Sequence, residues 1–199
     1  MQKNRLFLQR QAQLRNILDK LDLAVILITD EDSVYYFCGY FDYLHMEFGR
    51  PTILAMCRGG STLLITPFID LNTAAAHAVV ERIAEWNDGV GDEWRAELPG
   101  LIQGKGSVGI EMDMMPPPVR RYVDSLSSEP PVDVSLDIAA MRMIKSDEEL
   151  QMARHAGEVA MAMMEAGRQA IAPGVPEYEV ALATGAAGTR RAAALLNAH

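Results

Sequence analysis

The sequence is poor in residues that cross-link, chelate or anchor. It holds two cysteines and four histidines in 199 residues. Cys38 and Cys57 are too few for a disulfide framework, and neither a CxxC spacing nor a nearby histidine suggests zinc. Both read as buried thiols. No run of 18 or more residues is apolar and uncharged, so no transmembrane helix is expected. The stretch 1–15 carries four basic residues on an amphipathic pattern, with no small-residue cleavage site after an apolar run. A soluble, unexported, cytoplasmic protein is therefore expected. A basic run is also missing. Residues 1–140 hold 12 basic and 20 acidic side chains, residues 141–199 hold six and seven, and the net charge is −9. Such a chain is repelled by phosphate backbones and anionic lipid, which removes nucleic acid and membrane surfaces from the expected partners.

Several chemical signatures are absent too. There is no GxSxG elbow, no Walker loop and no HExxH pair. The triplet Gly104-x-Gly106-x-x-Gly109 precedes a strand candidate instead of following one, the wrong context for a dinucleotide site, and reads as a loop. What is present is a 49% apolar composition with aromatics, enough to bury a core and to exclude disorder as the main state.

Residues 4–20 place Leu6, Leu14, Ile17 and Leu18 at helical spacings, continued by Leu21, and Asn4 can cap the start. LAVILIT (23–29) is a continuous apolar, β-branched run, as a strand buried on both faces requires, ended by an acidic turn at Asp30-Glu31-Asp32. The segments 52–58 and 61–66 flank Gly59-Gly60 and predict a hairpin. A helix over 70–80, a short strand over 82–87 and a helix over 92–102 that runs up to Pro99 follow. Residues 107–113 read as a strand, Pro116-Pro117-Pro118 opens a helix to Ser128, and 132–136 is the last strand candidate. This alternation predicts an α/β fold: a mixed sheet of about six strands with helices on both faces. From Ile138 no strand signal remains. Ser146 with Glu149 forms a capping box at the head of a long helix that stops before Pro173-Gly174, and Pro176-Glu177 opens another. Met152, Val159, Met163 and Met164 make an apolar stripe that two such helices cannot bury between themselves. The expected domains are 1–137 and 138–199.

The order of these segments resembles the creatinase and aminopeptidase P family, whose members join a creatinase-type N-terminal domain to a pita-bread domain. The resemblance is carried by Arg142-x-Ile144-Lys145-Ser146-x-Glu148-Glu149, by Ala156 and by Pro173-Gly174-x-x-Glu177-x-Glu179. It implies that residues 138–199 are a linker and the first helices of an incomplete pita-bread catalytic domain. It also implies a homodimeric parent hydrolase that cleaves a C–N bond in a small carboxylate compound or an Xaa-Pro peptide. Phe48-Gly49-Arg50, after Tyr35-Tyr36-x-x-Gly39-Tyr40, is similar to the place where creatinase carries an aromatic and an arginine that reach the partner subunit's substrate. The resemblance thus implies that Arg50 meets a substrate carboxylate and Phe48 packs on its body.

A guanidinium offers a planar fork that a carboxylate accepts bidentately, so the chemistry is sensible. The plainer reading makes Arg50 a solvated charge and Phe48 a core residue. His45 stands likewise between a satisfied polar group and a carboxylate-binding or acid–base role. No catalytic and no metal-ligating residue is assigned. The resemblance implies a pair of divalent ions in metal-dependent members, but Glu158, Glu165, Glu177, Glu179, His155 and His199 are no ligand set for two hard cations. Glu158 and Glu165 read as a solvated helix face. The chain alone is expected to be inactive, with no cofactor of its own, giving dimer contacts and a substrate lid. A free-standing dimerisation or binding module that kept the scaffold is the rival reading.

Overall fold

Strand β1 (Leu23–Ile28) is buried along nearly its whole length, and the rest of the first unit is arranged around it. The structure is a computed structural model and describes residues 2–41, 51–87, 89 and 93–196. The chain divides into two compact units, Met1–Arg142 and Met143–His199.

In the first unit, α1 (Gln2–Lys20), β1 and α2 (Glu31–Cys38) are followed by β2 (Ile53–Cys57), β3 (Thr62–Pro67), α3 (Leu71–His77) and β4 (Arg82–Trp86). Then come α4 (Leu98–Ile102), β5 (Ser107–Ile110), α5 (Pro117–Leu126), β6 (Val132–Asp133) and α6 (Ser135–Met143). The six strands form one mixed sheet in the order β4-β3-β2-β1-β5-β6. Strand β2 runs antiparallel to both β1 and β3, while the β1–β5, β3–β4 and β5–β6 pairs are parallel. The hairpin turns at Gly60, whose φ of +88° suits glycine. Successive side chains of β1 point to opposite faces. Ile26 and Ile28 pack with Leu14 and Leu18 of α1, Phe37 of α2 and Ile138 of α6. Val25 and Leu27 pack with Leu98 of α4 and with Val119 and Val123 of α5. The expected six-stranded α/β sandwich is the fold observed.

Several local expectations change. The acidic stretch after β1 is no turn: Asp30 caps α2, its Oδ2 accepting from Ser33 N at 3.0 Å, and Glu31 and Asp32 favour the positive end of the helix dipole. The helix expected up to Pro99 is a single 3-10 turn at Glu93–Arg95; α4 starts at Leu98 with the proline in its first turn, where a missing N–H costs nothing. Strand β6 is short because Asp133 Oδ1 accepts from both N and Oγ of Ser135 and starts α6. Of the glycine triplet, Gly104 and Gly106 lie in the expected loop, while Gly109 lies inside β5, within the expected strand 107–113. Cys38 is buried as expected, but Cys57 is only half-buried.

Helix α1 also holds the end of α2. Arg10 donates to Tyr36 O at 3.0 Å and lies 3.9 Å from the centre of the Tyr36 ring, and Gln11 donates to Phe37 O at 3.0 Å. These carbonyls lie in the last turn of α2, where intrahelical partners run out.

The second unit is α7 (Asp147–Ala170) and α8 (Glu177–Leu196). The capping box at Ser146 and Glu149 is present. The helices approach closely where glycine allows it: a Cβ at Gly167 would stand 2.8 Å from Thr184 Oγ1, and one at Gly188 2.7 Å from Met163. Glu158 pairs with Arg191 and Glu165 with Arg168. The methionine stripe splits: Val159 and Met163 are half-buried, whereas Met152 and Met164 are exposed.

Gly109 generates a test of the packing. A Cβ there would meet Leu23 Cδ1 at 2.8 Å and Ile26 Cγ1 at 2.9 Å, both in fully buried side chains. Gly109→Ala is expected to destabilise the first unit by about 1–3 kcal/mol, as overpacking does, measured by denaturant unfolding. An unchanged midpoint would show that the core around β5 yields.

Candidate functional site

Because only β2 runs against the others, the carboxyl ends of β1, β3, β4, β5 and β6 lie on one edge of the sheet, together with the start of β2. The chain adds β2, β3 and β4 on one side of β1 and then returns to place β5 on the other. The boundary between β1 and β5 is therefore a topological switch point, where open α/β sheets leave a crevice for ligands.

Here that place is occupied by the protein's own charges. Glu111 directly follows β5 and is 5% exposed. Its Oε1 accepts from Ser33 Oγ at 2.8 Å, while Oε2 is buried with no hydrogen-bond partner among the described residues. Arg142, from α6, donates through Nη1 to Asp30 Oδ2 at 3.1 Å and to Ser33 Oγ at 2.9 Å, and through Nη2 to Asp32 Oδ2 at 3.0 Å. Tyr36 Oη–H donates to Met141 O at 3.0 Å, so the last turn of α6 is pinned to α2 twice. Burial pushes the Glu111 carboxyl up from 4.5 to about 7, the Ser33 bond and Arg142 opposing the rise and the Asp30 and Asp133 charges adding to it. Asp133 is held below the usual carboxylate range by Ser135 and Met112 N–H.

Burial places the proton exchange of this group near neutrality, and two cavities formed by the described residues lie apart from it. A groove of about 420 Å³, lined by residues that include Gln11, Arg15 and His77, and a notch of about 250 Å³ beside Arg95 and Arg121 both lie elsewhere. Among the described residues no group of three or more His, Cys, Asp or Glu side chains can hold a metal ion. The Cys38 thiol is pushed up to about 12 by burial, which removes it as a nucleophile.

His45, Phe48 and Arg50 lie outside the described residues. Their neighbours in the chain are held at the same sheet edge. Gly39, with φ +76°, ends α2. Tyr40 is buried with its hydroxyl 3.3 Å from Thr66 Oγ1 at the end of β3, and Thr52 Oγ1 is 3.5 Å from the same atom. Trp86 Nε1 donates to Pro51 O at 3.2 Å. Phe41, Phe68 and Ile69 are exposed beside these anchors in sequence.

The Glu111 cluster was missed by reasoning from sequence. Asp30-x-x-Ser33 has the spacing of a helix cap, and a glutamate directly after an apolar strand is a signal of buried charge; Arg142 drew attention only through its motif.

Residues 10–144 match the family model for the creatinase/prolidase N-terminal domain. A creatinase of Bacillus sp. (strain B-0618) is 29% identical over an alignment 179 residues long, with 87% of this chain and 42% of that protein covered. A prolidase from Pyrococcus horikoshii OT3 superposes with a TM-score of 0.74 at 21% identity, covering 92% of this chain and 48% of that one. An Xaa-Pro dipeptidase from Bacillus anthracis gives 0.72 at 20% identity, covering 93% and 49%. The chain thus spans about half the length of these relatives.

Glu111 has a consequence for stability. Its folded form holds the proton more tightly than the unfolded chain, so its cost is absent below about pH 4.5, grows between there and about 7, and is complete above. Full ionisation is expected to cost about 3 kcal/mol. Glu111→Gln should therefore be more stable than wild type at pH 8, with the advantage vanishing at pH 4, as denaturant unfolding at the two pH values would read. A variant less stable at pH 8 would contradict the assignment.

Proposed function

The chain belongs to the creatinase/prolidase N-terminal domain family, and from that premise we propose that it is the non-catalytic N-terminal portion of a homodimeric, cytoplasmic hydrolase. The parent acts on a C–N bond in a small carboxylate compound or an Xaa-Pro peptide, and this portion supplies dimer contacts and a substrate lid. The observation that carries the reading is the partial span: similarity runs along nearly all of this chain but only about half of a creatinase, a prolidase and an Xaa-Pro dipeptidase. The second unit supports it physically. Leu150, Met152, Met161, Met164, Tyr178 and Leu182 are all exposed on α7 and α8, and two helices with so much uncovered apolar surface need further structure to close a core.

In this reading the segment 42–50 carries the substrate contacts. Arg50 takes a carboxylate through its planar fork, which lysine cannot copy. Phe48 packs against the body of the substrate, and His45 adds a polar contact. The anchoring of Tyr40, Pro51 and Thr52 at the carboxyl edge supports a lid rooted at fixed points. The paired divalent ions of metal-dependent relatives need many hard oxygen donors. Among the described residues no group of donors fits such a pair.

In the full-length hydrolase, Arg50→Ala is expected to raise KM for a carboxylate substrate roughly ten- to hundredfold, the ~1.5–3 kcal/mol of a charged hydrogen bond, with kcat little changed. Unchanged KM removes Arg50 from the site. Hydrolysis by the purified 199-residue chain, abolished by a substitution within it, would overturn the non-catalytic reading. A native parent polypeptide no longer than this chain would favour a free-standing module.

A further inference from the structure

The Ser33 hydroxyl joins a buried acid to a clamped arginine. Its oxygen is 2.8 Å from Glu111 Oε1 and 2.9 Å from Arg142 Nη1. A serine hydroxyl has one hydrogen and two acceptor lone pairs. Arg142 can only donate, so Ser33 accepts from it and its hydrogen is directed at Glu111. That polarity matches an ionised Glu111, which only accepts. When Glu111 takes up a proton, the charge that polarises the Ser33 O–H bond is gone, and Arg142 loses one of the negative charges gathered around it.

We propose that Glu111, Ser33 and Arg142 form a proton-operated latch on the last turn of α6: proton loss from Glu111 tightens the hold of Arg142 on the start of α2, and proton uptake slackens it. Among the described residues the charged groups facing Glu111 come from three elements. Asp30, at the cap of α2, and Asp133, at the end of β6, favour its protonated form, and Arg142, from α6, favours its ionised form. Asp32 holds the other guanidinium nitrogen. Strand β1, LAVILI, brings no charge. Asp133 stays ionised near neutrality because Ser135 and Met112 N–H bond it. The lift of the Glu111 carboxyl to about 7 places the swing in the neutral range. By reciprocity, whatever Arg142 does to the proton affinity of Glu111, the ionisation of Glu111 does to the hold on Arg142.

An NMR titration of the full chain between about pH 5.5 and 8.5 tests the latch. The backbone amides of residues 140–143 are expected to shift with a midpoint near 7, and the shift is lost in Glu111→Gln, whose side chain keeps its shape but cannot ionise. The difference between wild type and that variant isolates Glu111. Arg142→Met removes the cation that favours the ionised form, and the Glu111 side-chain carboxyl carbon should then titrate at higher pH than in wild type. Ser33→Ala keeps both ends and cuts the link, so the 140–143 amides should follow the Glu111 titration less. Amides that stay still across the range, a shift that survives Glu111→Gln, or a Glu111 midpoint unmoved in Arg142→Met would each overturn the proposal.

Discussion

Leu23–Ile28 is apolar on both faces, and a strand of that kind is stable only where helices cover it from both sides and other strands flank it. Helices α1, α2 and α6 cover one face, α4 and α5 the other, with β2 and β5 as its neighbours. Crossovers through helices make strands parallel, so every strand but the hairpin's β2 ends on the same edge. The collection of chain ends at that edge, and with it the placing of Glu111, Asp30 and the anchors of the segment 42–50, follows from burying one strand. Where β1 ends, the chain must turn at once into α2, and Asp30 performs the turn and the cap together.

Periodicity made most of this arrangement legible. The doubly apolar run announced an interior strand, Gly59-Gly60 a hairpin, and Ser146 with Glu149 a helix start, because each is a local signal with a local cause. The misreadings have one cause of another kind: the same residue type serves two backbone states. Asp30-Glu31-Asp32 looks like a solvated turn until Ser33 N–H is seen bonded to Asp30. Pro99 ends a helix only if it stands inside one, and here it stands in the first turn. Asp133 cut β6 short through a side-chain bond that no hydropathy pattern records. The Glu111 cluster was illegible for a further reason. Its members are separated by up to 112 positions, and what brings them together is the strand order. Of the residues singled out for substrate, His45, Phe48 and Arg50, only the flanking anchors can be compared with the structure.

The two units bury their apolar surface to very different degrees. Two faces of the six-stranded sheet give the first unit a closed interior. In the second, each long helix buries a single glycine fully, and the tight approach at Gly167 and Gly188 lets α7 and α8 form a pair without making a core. A helical pair of this kind gains little over its ordering entropy from mutual contact alone. Its apolar outer faces are what a larger assembly would use, in line with relatives about twice as long.

The retention of an acid at position 111 is the feature that packing alone does not account for. An amide of the same shape would still accept from Ser33, though more weakly than a carboxylate, and carry no charge to desolvate, so it would avoid a cost that is a sizeable part of the ~5–15 kcal/mol by which typical domains are stable. Removing charge there would also take one negative charge from the surroundings of Arg142. Asp30 and Asp32 hold the guanidinium from the α2 side only, whereas Glu111 reaches it from the sheet through Ser33. The acid therefore ties three elements, β5, α2 and α6, into one electrostatic unit. The tie varies with proton concentration because the group that closes it is the one burial has moved toward neutral pH.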